Sequence, residues 1–140
     1  MKLFRPTENT KFHIDFSWFE RNSQDVKVLI HKCLTPEQQE RLGAPGESEA
    51  YDYINELTGE VERVDRMVHM LRTENAADPG FITPRTPVFE AAFRVFLLNH
   101  NQPLTALELS ECMHRKPAEV LAQLSGRAVY NGIRPTLEAN

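Results

Sequence analysis

The feature that most restricts the fold is a run of helix-start and helix-stop signals in the last third of this 140-residue chain. Residues 87–99 carry apolar side chains at three- and four-residue spacing, which predicts an amphipathic helix. Thr105–Glu108 is a capping box and predicts a second helix over 106–114. Proline fits the first helical turn but not a helix interior, so Pro117 predicts a third helix over 117–125, ended by a glycine.

A tight turn signal follows the third helix. Val129–Arg134 has Asn-Gly at its centre, which is the strongest short-range indication of a β-hairpin. Three short helices and a hairpin, in this order and spacing, make the segment Thr86–Pro135 resemble the winged helix-turn-helix superfamily. The resemblance implies a DNA-binding, transcription-regulator-like role, because helix-turn-helix units commonly place their second helix in the DNA major groove.

The first 84 residues mix strand and helix patterns. The alternation from Phe12 to Phe16 predicts a short strand, and Pro36 opens a helix that runs to Leu42. Residues 26–34 follow helical spacing, although the β-branched stretch 26–30 could also form a strand; helix is favoured. A hairpin of 51–54 with 61–64 and a helix over 65–73 complete this part.

The predicted class is therefore α+β. Residues 75–85 contain two prolines and a glycine and read as a linker. We expect residues 1–74 to form a small α+β subdomain and residues 86–140 to form the winged-helix domain.

Composition and charge limit the possible functions. The chain is 41% hydrophobic and 26% charged, which is typical of a folded globular protein. No segment has the length and hydrophobicity of a membrane span or a signal peptide, and there are two cysteines, so we expect a cytoplasmic protein with no membrane partner. The net charge of −4 argues against a strongly electrostatic DNA binder, although residues 85–140 hold 6 Lys and Arg against 5 Asp and Glu.

The third helix and its flanks supply the expected nucleic-acid site. Cations that bracket the helix and the hairpin are expected to contact DNA phosphates: Arg115, Lys116, Arg127 and Arg134. Gln123 can pair with an adenine edge, and the small side chains of Ala118 and Ala122 permit close approach to a groove. Glu119, on the same face, would oppose the phosphates.

The core of this domain follows from the helix periodicity. Residues expected to be buried together are Phe93, Phe96, Leu97, Leu109, Leu121 and Leu124. Tyr130 or Ile133 should close one side of this core.

The alternative function is protein binding. The same fold also serves as a protein-interaction module, and fold alone does not fix function. Aromatic residues anchor interfaces, so Phe16, Trp18 and Phe19 are candidates for contact with a protein partner or a second copy in a homodimer. Trp18 and Phe19 are adjacent and cannot both point inward, although a core role for the cluster is the more favoured interpretation.

Metal and catalytic sites are not predicted. His31 with Cys33, and Cys112 with His114, are i, i+2 pairs on predicted helices, so their side chains diverge instead of converging on zinc. Cys33 and Cys112 read as core residues. The sequence has no phosphate-binding glycine loop, no nucleophile elbow and no His-Glu-x-x-His helix, so we expect neither an enzyme nor a bound cofactor.

Overall fold

The computed structural model describes residues 5–43, 50–54 and 58–136, and within these ranges the chain is a mixed α+β protein, as predicted. A π-helical turn, Leu71–Asn75, continues the fourth helix. The other elements, in chain order, are β1 (Lys11–Ile14), α1 (Phe16–Arg21), α2 (Val26–Lys32), α3 (Pro36–Leu42), β2 (Ala50–Ile54), β3 (Val61–Asp65), α4 (Arg66–Met70), α5 (Val88–Leu98), β4 (Leu104–Thr105), α6 (Ala106–Met113), α7 (Pro117–Leu124) and β5 (Ile133–Pro135).

The chain divides into two compact units. Unit 1 comprises residues 1–24 and 79–140, and unit 2 comprises residues 25–78. The break between Asp78 and Pro79 falls inside the predicted linker. The first 24 residues, however, group with the C-terminal part, whereas the sequence placed all of 1–74 in one subdomain.

The sheet of unit 1 explains this grouping. It is antiparallel with strand order β4-β1-β5, so the strand from the start of the chain lies in the middle. Phe12 is opposite Leu104 on one side and Pro135 on the other. Phe12 and Ile14 are buried and His13 is half-buried, because successive side chains of a strand point to opposite faces.

The three C-terminal helices match the prediction closely. Thr105 Oγ1 accepts a hydrogen bond from the Glu108 backbone N–H at 3.2 Å, and Glu108 Oε1 accepts one from the Thr105 N–H at 2.9 Å, which completes the capping box. Pro117 occupies the first turn of α7. His114 ends α6 in the left-handed conformation (φ 57°), which glycine adopts more readily.

The predicted hairpin at Val129–Arg134 is wrong. Asn131 and Gly132 do form a tight turn, with φ of 55° and 69°, and the Ile133 N–H donates to the Tyr130 carbonyl at 3.1 Å. Val129 and Tyr130 are in no strand, however, and β5 pairs with β1. The N-terminal strand β1 takes the place of the partner strand that the hairpin would have supplied to β5.

The core of unit 1 largely follows the predicted set. Phe93, Phe96, Leu97, Leu109 and Leu124 are buried, and Ile133 is the residue that closes the core beside the turn. Leu121 is half-buried, and its neighbour Val120 is fully buried instead. Tyr130 is 56% exposed. Helix α5 packs against α6, α7, β1 and β5 and so forms the centre of the unit.

Unit 2 contains helices and a two-stranded sheet. Residues 26–32 are helical, as favoured, and α3 begins with a capping box at Thr35 and Gln38. Strands β2 and β3 pair antiparallel, with Ile54 opposite Val61; residues 55–57 of the predicted turn lie outside the described residues. Helix α4 is shorter than predicted because residues 71–75 adopt π geometry, closed by the Ala76 N–H to the Leu71 carbonyl at 2.9 Å.

Candidate nucleic-acid interface

Helix α7 presents a small, polar face to solvent. Its buried side chains are Val120 and Leu124, which face the core of unit 1. The four side chains that the sequence placed outward are all exposed: Ala118, Glu119, Ala122 and Gln123. The recognition face predicted from sequence is therefore accessible along the helix.

Arg115 is held inside unit 1, although the sequence placed it among the phosphate contacts. Its Nη1 donates to the Thr86 carbonyl at 2.6 Å, and its Nη2 is bound to the carboxylate of Glu119, one helical turn away. Only 15% of its side chain is exposed. This pairing occupies Arg115 and neutralises Glu119, the one acidic side chain on the exposed face of α7.

Arg134 lies elsewhere in the unit. Strand β5 places it opposite His13, and its Nη1 is 3.0 Å from Asp15 Oδ2. The cleft that it lines with Asp15 and Arg21 includes no residue of α7. The structure therefore does not bring Arg134 together with the cations at α7.

Lys116 and Arg127 are exposed at opposite ends of α7. A third exposed cation, Arg85, was missed because the sequence assigned it to the linker. It precedes Thr86, whose carbonyl accepts a hydrogen bond from the side chain of Arg115, so the backbone next to Arg85 is tied to the residue that comes just before α7. Within the described ranges, none of these three side chains forms an ion pair. No local sequence pattern pointed to Arg85, because its relation to α7 depends on the contact between Arg115 and Thr86.

The predicted protein-contact residues differ in exposure. Phe16 is exposed, Trp18 is half-buried, and Phe19 is only 2% exposed. Phe19 therefore belongs to the core and not to a contact surface: its ring centre is 5.1 Å from that of Trp18 and 6.4 Å from that of Phe93. The adjacent residues Trp18 and Phe19 do face different environments, as predicted.

Two aromatic residues outside the predicted cluster add to this region. Half-buried Phe89 packs edge-on against Tyr130, with ring centres 4.9 Å apart. The turn that carries Tyr130 rests on Phe19, because a Cβ at Gly132 would lie 2.7 Å from the Phe19 ring. We call Trp18, Phe89 and Tyr130, which are connected through Phe19 and this turn, the aromatic surface.

A polar cleft of about 640 Å³ lies beside β1 and β5. Asp15 caps α1 there and accepts hydrogen bonds from Ser17, Arg21 and Arg134. The Ser17 hydroxyl and the two guanidinium groups lower the pKa of Asp15 to about 2. The carboxylate is therefore charged at all physiological pH values.

Unit 2 has a cleft of about 670 Å³ with a buried amide pair at its wall. Gln38 Nε2 donates to Asn75 Oδ1 at 2.7 Å, and Asn75 Nδ2 donates to Gln38 Oε1 at 3.1 Å. Glu74 pairs with Arg41 at 2.6 Å, and this contact, with Gln38, lowers the pKa of Glu74. These bonds join α3 to the π-helical turn and explain why two polar side chains are buried there.

The cysteines do not form a metal site with their neighbouring histidines. Cys33 is buried, as predicted, whereas Cys112 is exposed and not a core residue. In the part of the chain that the structure describes, no three His, Cys, Asp or Glu side chains are grouped to hold a metal ion.

Comparisons of the chain with protein-family models, with curated proteins and with solved structures found no match. Among the helices that the structure describes, none combines the length and hydrophobicity needed to cross a membrane.

Proposed function

We propose that unit 1 binds double-stranded DNA through α7 and acts as a transcription regulator. The observation that carries the proposal is the arrangement of charge around this helix. Arg85, Lys116 and Arg127 are exposed at its two ends without a carboxylate partner among the described residues, while Arg115 cancels the charge of Glu119. A neutral helix face flanked by free cations fits a groove lined by phosphates.

The length of α7 suits the major groove. Helix α7 has eight residues and is therefore about 12 Å long. The major groove is about 12 Å wide, so cations at the two ends of α7 can reach the phosphates on either side. Gln123 then faces the base edges, where its amide can pair with an adenine.

The charges of the two units also favour DNA contact through unit 1. Unit 1 holds 10 Lys and Arg against 8 Asp and Glu, whereas unit 2 holds 6 against 12. The net charge of −4 thus comes from unit 2. Repulsion from DNA phosphates would keep unit 2 away from the duplex and leave unit 1 to contact it.

The resemblance to a winged helix is partial in this proposal. The three helices of the resemblance are present as α5, α6 and α7, but the hairpin is replaced by a sheet in which β1 lies between β4 and β5. A protein without the hairpin has fewer phosphate contacts. We therefore propose moderate affinity for DNA, carried by three cations.

Single alanine variants of the full-length protein test the proposal. Three phosphate contacts predict a slope of about −2.7 for the logarithm of affinity against the logarithm of salt concentration, and each of Arg85→Ala, Lys116→Ala and Arg127→Ala should reduce the slope by about 0.9. Lys32→Ala, an exposed lysine of unit 2, is the matched control and should leave the slope unchanged. If all four variants had the same salt slope as the parent, the assignment of these contacts would be overturned.

Gln123 is tested separately, because a base contact and a phosphate contact give different results. Gln123→Ala should change the preference at one base pair by about 1–3 kcal/mol and leave the salt slope unaltered. The measurement is the relative affinity of duplexes that differ at single positions. A uniform loss across all sequences would contradict base reading by Gln123.

A second candidate function is protein binding through the aromatic surface of Trp18, Phe89 and Tyr130. Tyrosine and tryptophan are enriched at interfaces, and Tyr130 is 56% exposed. We propose a second copy of this chain as the partner, because helix-turn-helix proteins commonly bind paired half-sites as dimers.

The chain contains one tryptophan, so Trp18 reports directly on this surface. Dimerisation should shift its emission to shorter wavelength as protein concentration rises, in step with the mass measured by sedimentation. Tyr130→Ser should weaken this association, and Ala128→Ser, an exposed change two residues away, should not. A monomer at all concentrations would contradict this second candidate and leave DNA binding to the single copy.

A further inference from the structure

The polar cleft of unit 1 holds two positive charges and one negative charge. Arg21 Nη2 lies 3.1 Å and Arg134 Nη1 lies 3.0 Å from the same oxygen, Asp15 Oδ2. Asp15 is the only carboxylate among the residues that line the cleft, all of which the structure describes. Among the described residues, one of the two guanidinium charges is therefore not balanced by a carboxylate of the cleft.

The two guanidinium groups also keep unused hydrogen-bond donors. A guanidinium has five N–H donors in a planar fork. Arg134 uses Nη1 for Asp15, and its other nitrogen atoms have no hydrogen bond to any described residue. About 38% of the Arg134 side chain and 52% of the Arg21 side chain are exposed, so both are accessible from solvent.

The remaining walls are partly apolar. Pro103 and Pro135 line the same cleft of about 640 Å³, which is large enough for more than a bare ion. A ligand with an apolar body can rest on the two proline rings while its charged group reaches the arginines.

We propose that this cleft binds the carboxylate of a small organic ligand or of a peptide C-terminus. A carboxylate carries one negative charge and so balances the one excess positive charge. It accepts two parallel hydrogen bonds from a guanidinium, which matches the free fork of Arg134. A phosphate dianion would instead leave an excess negative charge beside Asp15. Carboxylate binding in the cleft does not depend on DNA binding by α7, because no residue of α7 lines the cleft.

The test is an NMR titration of the full-length ¹⁵N-labelled protein with propionate. We expect saturable shifts at the backbone amides of Ser17 and Thr136, which line the cleft. Arg134→Gln should weaken binding about tenfold, as does loss of one charge-assisted hydrogen bond. Arg21→Gln is a second variant with the same expected loss, in case Arg134→Gln does not fold. The matched control is Arg66→Gln, an exposed arginine outside the cleft, which should bind as the parent does.

Two further titrants identify the source of the carboxylate. These are a tripeptide with a free C-terminus and the same tripeptide with an amidated C-terminus. If the free tripeptide binds more tightly than both propionate and the amidated tripeptide, the cleft is assigned to peptide ends. If the free tripeptide and propionate bind equally, the cleft is assigned to small acids. The proposal is overturned if sodium chloride at equal concentration gives the same shifts, if inorganic phosphate binds more tightly than propionate, or if both cleft variants bind as the parent does.

Discussion

Arg115 is bound to Glu119, one helical turn along the chain, and also donates to the Thr86 carbonyl at 2.6 Å. The first contact neutralises the acidic side chain on the exposed face of α7, and the second joins the start of α7 to the segment that leads into α5. An arginine that the sequence assigned to DNA is thus part of the protein's own structure. The exposed cations of this region that form no ion pair with a described residue are instead Arg85, Lys116 and Arg127.

Replacing Arg115 should therefore affect stability and not phosphate contact. Arg115→Ala removes hydrogen bonds of a charged group that is 15% exposed, and we expect a loss of about 1.5–3 kcal/mol in the free energy of unfolding. Urea denaturation measures this loss. Arg127→Ala, at an exposed position, should stay within about 0.5 kcal/mol of the parent. Equal stability of the two variants would contradict the structural role of Arg115.

The turn that replaces the hairpin should be sensitive to a single methyl group. Gly132 has φ of 69°, and a Cβ there would lie 2.7 Å from Phe19 Cε2. Gly132→Ala should cost about 1–3 kcal/mol, since it combines backbone strain with a steric overlap. The control is Gly126→Ala, whose Cβ would meet its nearest atom at an ordinary 3.6 Å. A Gly132→Ala variant as stable as the Gly126→Ala variant would show that the turn does not rest on Phe19.

At His114, a change to glycine should stabilise the protein. A non-glycine residue in the left-handed conformation costs about 1–2 kcal/mol, so His114→Gly should raise the free energy of unfolding by about 1 kcal/mol. The same substitution at His69, which lies inside α4, should lower it, because glycine is unfavourable in a helix. Thermal unfolding of the two variants should therefore shift in opposite directions; a destabilised His114→Gly would contradict the turn geometry.

The pKa of Asp15 predicts how stability depends on acid. Its ordinary pKa of 3.8 is lowered to about 2 in the folded protein. A lowered carboxyl pKa contributes stability that is fully present above the unfolded-state value and is lost as pH falls through the folded-state value. We therefore expect Asp15 to add to the decline in stability between about pH 4 and pH 2.

Asp15→Asn removes the titrating group and should flatten this part of the curve, which denaturation at a series of pH values will show. Asp25→Asn is the matched control, since Asp25 caps α2 by accepting a hydrogen bond from the Lys27 N–H but has no arginine partner among the described residues. An unchanged decline in Asp15→Asn would contradict the lowered pKa.

Local signals in the sequence predicted most elements of unit 1 but not its sheet. The capping box at Thr105 and the break at Pro117 act within a few residues, and both were found where expected. The Asn-Gly turn also formed, but the partner of β5 lies about 120 residues away in β1, and no local pattern encodes that pairing. For the same reason the grouping of residues 1–24 with the C-terminal part was not predicted.

The candidate site was predicted only in part, and the part that was missed depends on contacts between distant segments of the chain. Helical periodicity identified the exposed face of α7, including Gln123. Charge alone could not separate the arginines that are bound inside the protein from the free ones. Asp15 is a partner of Arg134 only because β1 and β5 are neighbours, and the segment of Arg85 is tied to the start of α7 only through the bond between Arg115 and Thr86.

DNA binding through α7 is tested most directly by a fluorescence anisotropy titration of the full-length protein against a random-sequence duplex at 50 and 200 mM salt. Three phosphate contacts predict that affinity falls about 40-fold between these concentrations, and that the triple variant Arg85→Ala, Lys116→Ala and Arg127→Ala loses nearly all of this dependence. An absence of binding at the lower salt concentration, or a triple variant with the parent's affinity and salt slope, would contradict DNA binding through α7.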